Sequence, residues 1–399
     1  MVQANSVAEL FCSAGVQDII TKYKKGAPDP LRLAMELRDR YTQEERHWIG
    51  EWITLFPKIQ EKFGIATPLL CDRLALEQST AKDLSVWKTR LWPTGAKLLD
   101  LCCGMGGDSF FLPASLEVTG VDRDAMRLAM FRENTLRTGT SRAAICADAL
   151  DPPLRADFFQ MDPARRASQG DNQRHVEDIS PSWGEILKIL PQYSGALLKL
   201  APGFPLSLIP AQASITYLGS HVDCRECLVS FGSLGAKTPE IRAVSLDDQV
   251  EFSAPREDVR EDIIPTGPLG RYLFEPSPVM VRSHLFPLLA KQYGLWQIDP
   301  RIAYLTGDTL PDSPWLTAYT VLGQCPLGQE RVRQMLKNAG IKPITLKKRG
   351  VEVEPAQELK SLRVKTGTPG ILFYTRIQDQ KTAILTMLPK NRTISKAHV

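Results

Sequence analysis

The sequence predicts a doubly wound α/β fold, with a helical region before the sheet and a small α/β module after it. Three observations predict it. The apolar run Leu98–Leu101 ends in a glycine-rich bend, Cys102-Cys103-Gly104-Met105-Gly106-Gly107-Asp108. From residue 97 to about 235, strand-length apolar runs alternate with helix-length segments, which implies parallel strands joined by right-handed crossovers. Four successive runs close on an acid: Asp100, Asp122, Asp148 and Asp162. Ligands of such sheets lie beyond the carboxyl ends of the strands, so four acids there fit one shared site. Asp is also common wherever strands turn, which is the plainer explanation of any one of them.

The elements follow in order. Residues 1–90 read as helical, because Pro30–Arg40 and Glu45–Phe56 place apolar residues three and four apart. A further helix is expected from Pro68 toward Trp87. Strands are expected at Lys97–Leu101, Glu117–Val121, Ala143–Ala147, Asp157–Met161 and Ala196–Leu200. Helices are expected to start in Gly107–Pro113 and to span Ala125–Thr138, closed by Gly139. Ser214–Leu218 and Cys227–Phe231 read as a closing pair of strands. Residues 240–326 are proline-rich and give no clear pattern. Beyond them come an amphipathic helix, Glu330–Ala339, a strand, Pro343–Leu346, and a hairpin of Ile371–Arg376 with Lys381–Met387 around Gln378-Asp379-Gln380.

With 399 residues the chain is long enough for two or three domains. No apolar run approaches the roughly 20 residues of a membrane helix, and the start Met1–Ser6 lacks a secretion signal. The eight cysteines are scattered, with Cys102 and Cys103 adjacent at a strand end, so reduced thiols and a cytoplasmic location are expected, without a membrane partner. The net charge of +4 hides an asymmetry: residues 331–399 hold 15 Lys+Arg against 4 Asp+Glu, leaving 34 against 41 elsewhere. A basic tail on a mildly acidic body suits a polyanionic partner, or is simply a solvated basic surface.

The glycine bend separates two cofactor classes. A dinucleotide site has Gly-x-Gly-x-x-Gly; here Gly104 and Gly106 are present, but the third position is Ser109. The acids Asp100, Asp122 and Asp148 after three successive strands resemble class I S-adenosylmethionine-dependent methyltransferases instead. The resemblance implies that Asp100, Cys102, Gly104, Met105 and Gly106 line the methionine end of S-adenosyl-L-methionine. It also implies that Asp122, with Arg123 beside it, takes the ribose, and Asp148 with Ala149 the adenine. The pieces Glu77–Thr80, Asp100–Asp108, Asp162–Arg166, Lys199–Gly203, Pro268–Pro276, Asp299–Leu305 and Lys347–Gly350 are similar, in this order, to a bacterial methyltransferase-like group with a THUMP-like C-terminal domain.

That resemblance spans roughly residues 60–399. It implies an N-terminal helical region (1–90), a Rossmann-like methyltransferase domain (91–262), a middle segment of small ferredoxin-like type (263–327) and a THUMP-like basic α/β domain (328–399). In related enzymes a segment at the place of Glu77–Thr80 closes over the cofactor, giving Glu77 a role there.

Many base N-methyltransferases end strand four with Asn/Asp-Pro-Pro-aromatic. This chain has Asp162-Pro163-Ala164-Arg165-Arg166, keeping the acid and first proline but neither the second proline nor the aromatic. Asp162 can orient an N–H or accept its proton, and it borders the cofactor. Arg165 and Arg166 can stack on a base or grip a phosphate, or pair with neighbouring acids. The polar stretch Ala167–Trp183, with Arg174 and His175, is placed as a lid. Cys224 and Cys227 lack the second ligand pair that a structural zinc needs, so no metal is expected.

THUMP-like modules are similar to domains that hold structured RNA through its phosphates. The expected RNA contacts are Lys347, Lys348 and Arg349 at a strand tip, with Lys337, Lys342, Lys360, Arg363 and Lys365. The expected activity is methylation of a base in structured RNA, tRNA or rRNA. The alternatives are a methyltransferase of a small molecule or protein, and a non-catalytic protein that binds RNA and S-adenosylmethionine. The oligomeric state is open.

Overall fold

A computed structural model describes residues 2–26, 28–165, 179–259, 264–364 and 366–388. The chain divides into two units: Met1–Ile215 with Glu226–Pro239, and Thr216–Arg225 with Glu240–Val399.

The first unit opens with helices α1 (Val2–Cys12), α2 (Ala14–Lys22), α3 (Pro30–Leu37) and α4 (Gln43–Phe63). Helix α4 starts in a capping box, with the Thr42 hydroxyl and the Glu45 carboxylate each accepting from the other's backbone N–H. It stops at Gly64, whose left-handed φ of 65° glycine adopts without strain. The apolar faces of these helices bury Phe11, Trp52, Phe56 and Phe63 together with Met105, Phe110 and Met130. The helical region and the glycine bend therefore share one core.

The sheet follows: β1 (Lys97–Leu101), β2 (Glu117–Asp122), β3 (Ala143–Cys146), β4 (Phe158–Met161), β5 (Gly195–Leu200), β6 (Ser214–Gly219) and β7 (Cys224–Gly232), each where the sequence places a strand. Side by side they run β3-β2-β1-β4-β5-β7-β6. Strand β1 is parallel to β2 and β4, β2 to β3, and β4 to β5, while β7 is antiparallel to β5. The order reverses between β1 and β4, which opens a crevice beyond their carboxyl ends. Asp100 and Asp162 lie at that crevice and Asp122 on the next strand. Helix α7 (Ala125–Arg137) begins on Asp124, whose carboxylate accepts from the Met126 and Arg127 N–H groups, and ends before Gly139 as expected. It lies so close to β2 that a methyl group on Gly120 would approach the Phe131 ring to 2.7 Å.

Two helices differ from expectation. The run from Pro68 toward Trp87 is split into α5 (Arg73–Gln78) and α6 (Lys82–Lys88), because Thr80 between them turns inward to the polar site described below. Gly107–Pro113 forms turns rather than a regular helix. The chain there is pressed against its neighbour, and a side chain on Gly107 would meet Ser79 and the Thr80 backbone at 3.0–3.1 Å. Helix α8 (Trp183–Ile189) precedes β5.

The second unit carries a hairpin of β8 (Glu240–Ser245) and β9 (Val250–Pro255). Its main sheet comprises β10 (Tyr272–Pro276), β11 (Trp296–Asp299), β12 (Ile302–Gly307), β13 (Leu316–Pro326), β14 (Ile341–Lys348), β15 (Thr368–Ile377) and β16 (Gln380–Met387), in the order β11-β12-β10-β13-β16-β15-β14. Helices α9 (Pro278–Arg282) and α10 (Phe286–Tyr293) link β10 to β11, α11 (Gln329–Ala339) precedes β14, and α12 (Pro355–Leu362) connects β14 to the parallel β15. Strands β15 and β16 form the expected hairpin, with Gln378 and Asp379 at φ 46° and 71°. Strand β13 bonds to β10 on one side and β16 on the other, so the expected boundary at 327/328 falls inside one continuous sheet. Among the described residues no helix is long and apolar enough to cross a membrane.

Asn134 ties the first unit together. It is fully buried, accepts from Leu70 N–H (2.7 Å), and donates to the carbonyls of Leu70 (2.9 Å) and Met105 (3.1 Å). Asn134→Leu should cost about 2–4 kcal/mol in urea unfolding, since it strands buried backbone groups at about 1–3 kcal/mol each. A loss below about 1 kcal/mol would show that the bridge is dispensable.

Candidate active site

The bend after β1 takes its shape from three left-handed residues, Cys102 (φ 61°), Gly104 (φ 54°) and Gly106 (φ 95°). Asp122 holds it with one oxygen: Oδ2 accepts from Gly104 N–H at 3.1 Å, while Oδ1 accepts from Asp124 N–H at 3.0 Å in the local turn after β2. A methyl group added at Gly104 would meet nothing within 4 Å, whereas one at Gly106 would strike Phe110 at 2.9 Å. Gly104 thus borders open space and Gly106 permits packing. Ser109, in place of a third glycine, donates from its hydroxyl to Asp100 Oδ2 at 2.6 Å. Asp100 is buried. Burial, with the nearby Asp108 charge, pushes its carboxyl up to about 7.

Behind the bend lies a cluster of buried charges. Lys88 Nζ, at the end of α6, sits 2.6 Å from Asp108 and 2.8 Å from Glu226 on β7. Lys199 Nζ, on β5, sits 2.5 Å from Asp162 Oδ2 and 3.5 Å from Glu226 Oε1, and donates to the Thr80 hydroxyl at 2.8 Å. That hydroxyl in turn meets Asp108 Oδ2 at 2.8 Å. Burial disfavours every charge here, but opposite neighbours prevail at three of them. Lys88 and Lys199 hold Asp108 down to about 2. Asp108 and Glu226 raise Lys88, and Asp162 and Glu226 raise Lys199. Asp162 differs: it lies in a recess, with 39% of its side chain open, and burial raises its carboxyl against the pull of Lys199. Lys62, donating to the Leu76 and Glu77 carbonyls, is pulled down to about 8 by burial and then by Lys199.

The other expected residues are distributed around this centre. Burial and the charges of Asp122, Asp162 and Asp100 push the Cys102 thiol up to about 12. Arg123 pairs with Asp148 at 2.6 Å on the open rim. The neighbouring Ala149 is buried. Met105 faces the helical core, so only its backbone borders the bend. Glu77 is exposed on α5 and Pro163 is buried. Ala164–Arg165 pairs with Ile179–Ser180; Arg166 and the stretch 167–178, with Arg174 and His175, lie outside the described residues. Cys224 and Cys227 are free thiols, and no metal-binding group occurs among the described residues. Sequence reasoning gave no role to Lys88 or Glu226, and took in Thr80, Asp108 and Lys199 only as ends of longer pieces, with no individual role. The available signal was a lone lysine inside the otherwise apolar Ala196-Leu197-Leu198-Lys199-Leu200.

In the second unit the expected basic tip is occupied. Lys347 pairs with Glu275 and donates to the Tyr319 hydroxyl at 3.0 Å. Arg349 donates to the Ala303 carbonyl at 3.0 Å and stacks 4.6 Å from the Tyr304 ring. Lys348 donates to the Val353 carbonyl at 2.6 Å. Lys337, Lys342, Lys360 and Arg363 are exposed, and Lys365 lies outside the described residues. Topology gathers these four at the other end of the module. Lys337 is in the last turn of α11 and Lys342 is second in β14. Helix α12, running back from the end of β14 to the start of the parallel β15, delivers Lys360 and Arg363 there.

Comparison with known proteins bears on this architecture. The family described as THUMP domain-like matches residues 316–387, from the start of β13 to the end of β16, which is twelve residues earlier than the expected boundary. A protein of Mycobacterium tuberculosis (strain CDC 1551 / Oshkosh), described as an uncharacterized S-adenosylmethionine-dependent methyltransferase, is 31% identical over 321 residues, 79% of this chain and 86% of the relative. Its counterpart in strain H37Rv matches equally. The crystal structure of a protein assigned as a methyltransferase from Porphyromonas gingivalis W83 superposes with a TM-score of 0.74 at 21% identity, over 94% of this chain and 98% of that one, which establishes the shared fold.

Asp100 makes stability depend on pH. Its folded pKa of about 7 lies above the ordinary 3.8, so the folded state binds the proton more tightly. Its contribution is complete below pH about 4 and is lost as pH rises through 7. Between pH 5 and 7, urea-unfolding stability should fall by up to about 1.4 kcal/mol per pH unit relative to Asp100→Asn. Equal slopes in the two proteins would refute a buried, protonated Asp100.

Proposed function

We propose, from the premise that this chain belongs to the S-adenosylmethionine-dependent methyltransferases, that it methylates a base in structured RNA such as tRNA or rRNA. The cofactor half of this reading rests on the bend after β1. Its backbone opens onto free space at Gly104, a cradle that suits the methionine end, with Asp100, Cys102, Met105 and Gly106 around it. Asp122 would take the ribose hydroxyls: each of its oxygens accepts one backbone N–H and retains a lone pair. Asp148, with Arg123 and Ala149, would meet the adenine. When bound, the cofactor supplies a methyl group already activated on a sulfonium.

The protein's own task is then to hold the acceptor and receive its proton. Asp162 suits this, being the acid of the crevice that keeps an open face. Pro163, Arg165 and Arg166 continue the same segment, and arginine can grip a phosphate or stack on a base.

The single observation that carries the RNA reading is the exposed group Lys337, Lys342, Lys360 and Arg363 at one end of the THUMP domain-like region. Cations in a last helical turn also complement the helix dipole, which accounts for Lys337 and Lys360 but not for Lys342. Such a patch fits phosphate contact, which is insensitive to sequence and sensitive to salt.

Two measurements test the halves separately. Asp122→Ala should weaken calorimetric binding of S-adenosylhomocysteine by about 1–3 kcal/mol, the cost of losing hydrogen bonds to a charged group; unchanged affinity would remove Asp122 from the site. For RNA, filter binding across a salt series should show a slope that falls by about 3 in the variant with Lys337, Lys342, Lys360 and Arg363 all replaced by Ala, at roughly 0.7–0.9 per phosphate contact. Lys347→Ala should leave the slope unchanged, because Lys347 is already paired. An unaltered slope in the fourfold variant would overturn the RNA reading of this surface.

A further inference from the structure

Resting on the methyltransferase reading of the crevice, the geometry points to Lys199 as the positioning residue of the acceptor site: it fixes one oxygen of Asp162 and keeps the carboxylate charged, leaving the other oxygen for the acceptor's proton. Lys199 Nζ has three hydrogens and three acceptors: Asp162 Oδ2 at 2.5 Å, the Thr80 hydroxyl at 2.8 Å and Glu226 Oε1 at 3.5 Å. Two of its hydrogens are committed to hydrogen bonds, and Glu226 faces it at ion-pair distance. It cannot rotate without abandoning a partner. Glu226 is held on its other side by Lys88, which is itself tied to Asp108 at the end of the glycine bend. Thr80 completes a closed circuit, touching both Asp108 and Lys199.

The consequence for Asp162 is directional. Its Oδ2 is taken, while 39% of its side chain remains open to the crevice. Burial, Asp108 and Glu226 push the carboxyl toward the neutral acid, and Lys199 is the group that pulls it toward the carboxylate. The circuit also joins the cofactor's bend to the acceptor's acid. Asp108 connects to Asp162 through Lys199, by way of Thr80 on one side and of Lys88 and Glu226 on the other.

The test reads the charge of Asp162 with and without Lys199. Carbon-13 NMR titration of aspartate-labelled protein, with Asp162→Asn assigning the signal, should show the Asp162 carboxyl titrating about 1–3 pH units higher in Lys199→Met and near the wild-type position in Lys199→Arg. Because Lys199→Met leaves two carboxylates short of a cation, the double variant K199M/E226Q is titrated alongside and should show the same upward shift. In parallel, methyl incorporation from radiolabelled cofactor into RNA from a strain lacking the gene is followed from pH 5 to 9. The acid limb of the rate should move up with the titration, while calorimetric affinity for S-adenosylhomocysteine stays within about threefold. An unshifted Asp162 titration in both methionine variants would overturn the positioning role, whatever the substrate. A shifted titration without RNA methylation in the wild type would instead uphold Lys199 and remove RNA as the substrate.

Discussion

Charge balance inside a largely desolvated cluster is the constraint on which the first unit depends. Three carboxylates, Asp108, Asp162 and Glu226, meet two ammonium groups, Lys88 and Lys199, where desolvation penalises every ion. A buried pair of this kind gains little net stability, but removal of one partner is expensive. The arrangement therefore specifies positions more than it adds stability. It draws on α6, the bend after β1, β4, β5 and β7, so five elements must dock in register before any of these charges is satisfied. The break between α5 and α6 belongs to the same constraint. A continuous helix would carry Thr80 past the cluster, and the interruption turns its hydroxyl inward between Asp108 and Lys199.

Much of the catalytic-domain architecture was legible in the sequence because its signals are local. Strand, bend and strand from Leu98 to Asp122 are adjacent in the chain, and alternation of apolar runs suffices for a parallel sheet. The glycine positions follow from backbone geometry, which composition reports directly. The absent third glycine at 109 was read only as evidence against a dinucleotide. Its positive role, a hydroxyl facing buried Asp100, depends on how the turn folds back and has no local mark. The lysine cluster was illegible for the same reason. Lys88 and Glu226 are far apart in sequence, and only the pairing of β5 with β7 brings Glu226 beside Lys199.

The second unit shows the complementary failure. Lys347, Lys348 and Arg349 read as a free basic tip because three consecutive cations stand together at the end of a strand and the acid that pairs with Lys347 is remote in sequence. The acid is Glu275, on β10, where the sheet order places it within reach of Lys347. Counting charge along the chain finds a basic module but cannot say which cations are spent. The same limit hid the sheet of residues 272–307. Prolines such as Pro278 and Pro287 occupy first helical turns, where they are structurally benign, yet they interrupt the periodicity by which strands are recognised.

The two halves of the crevice thus differ in how they meet their ligands. At the β1–β2 side the protein presents backbone and rim carboxylates around open space at Gly104, a surface already formed, with Asp122 tied to the Gly104 amide on one side and to its own turn on the other. At the β4–β5 side it presents a single half-open carboxylate, Asp162, paired to Lys199. A preformed cradle suits a cofactor that returns unchanged in shape at every cycle. A lone acid governed by its neighbour suits an acceptor that must give up a proton, because the chemistry then depends on one titration instead of many contacts. The absence of an aromatic after Pro163 is consistent with this division. On the proposed reading, Asp162 and its lysine would supply charge control at the acceptor, and with no aromatic beside them the crevice itself would offer little shape recognition of a base.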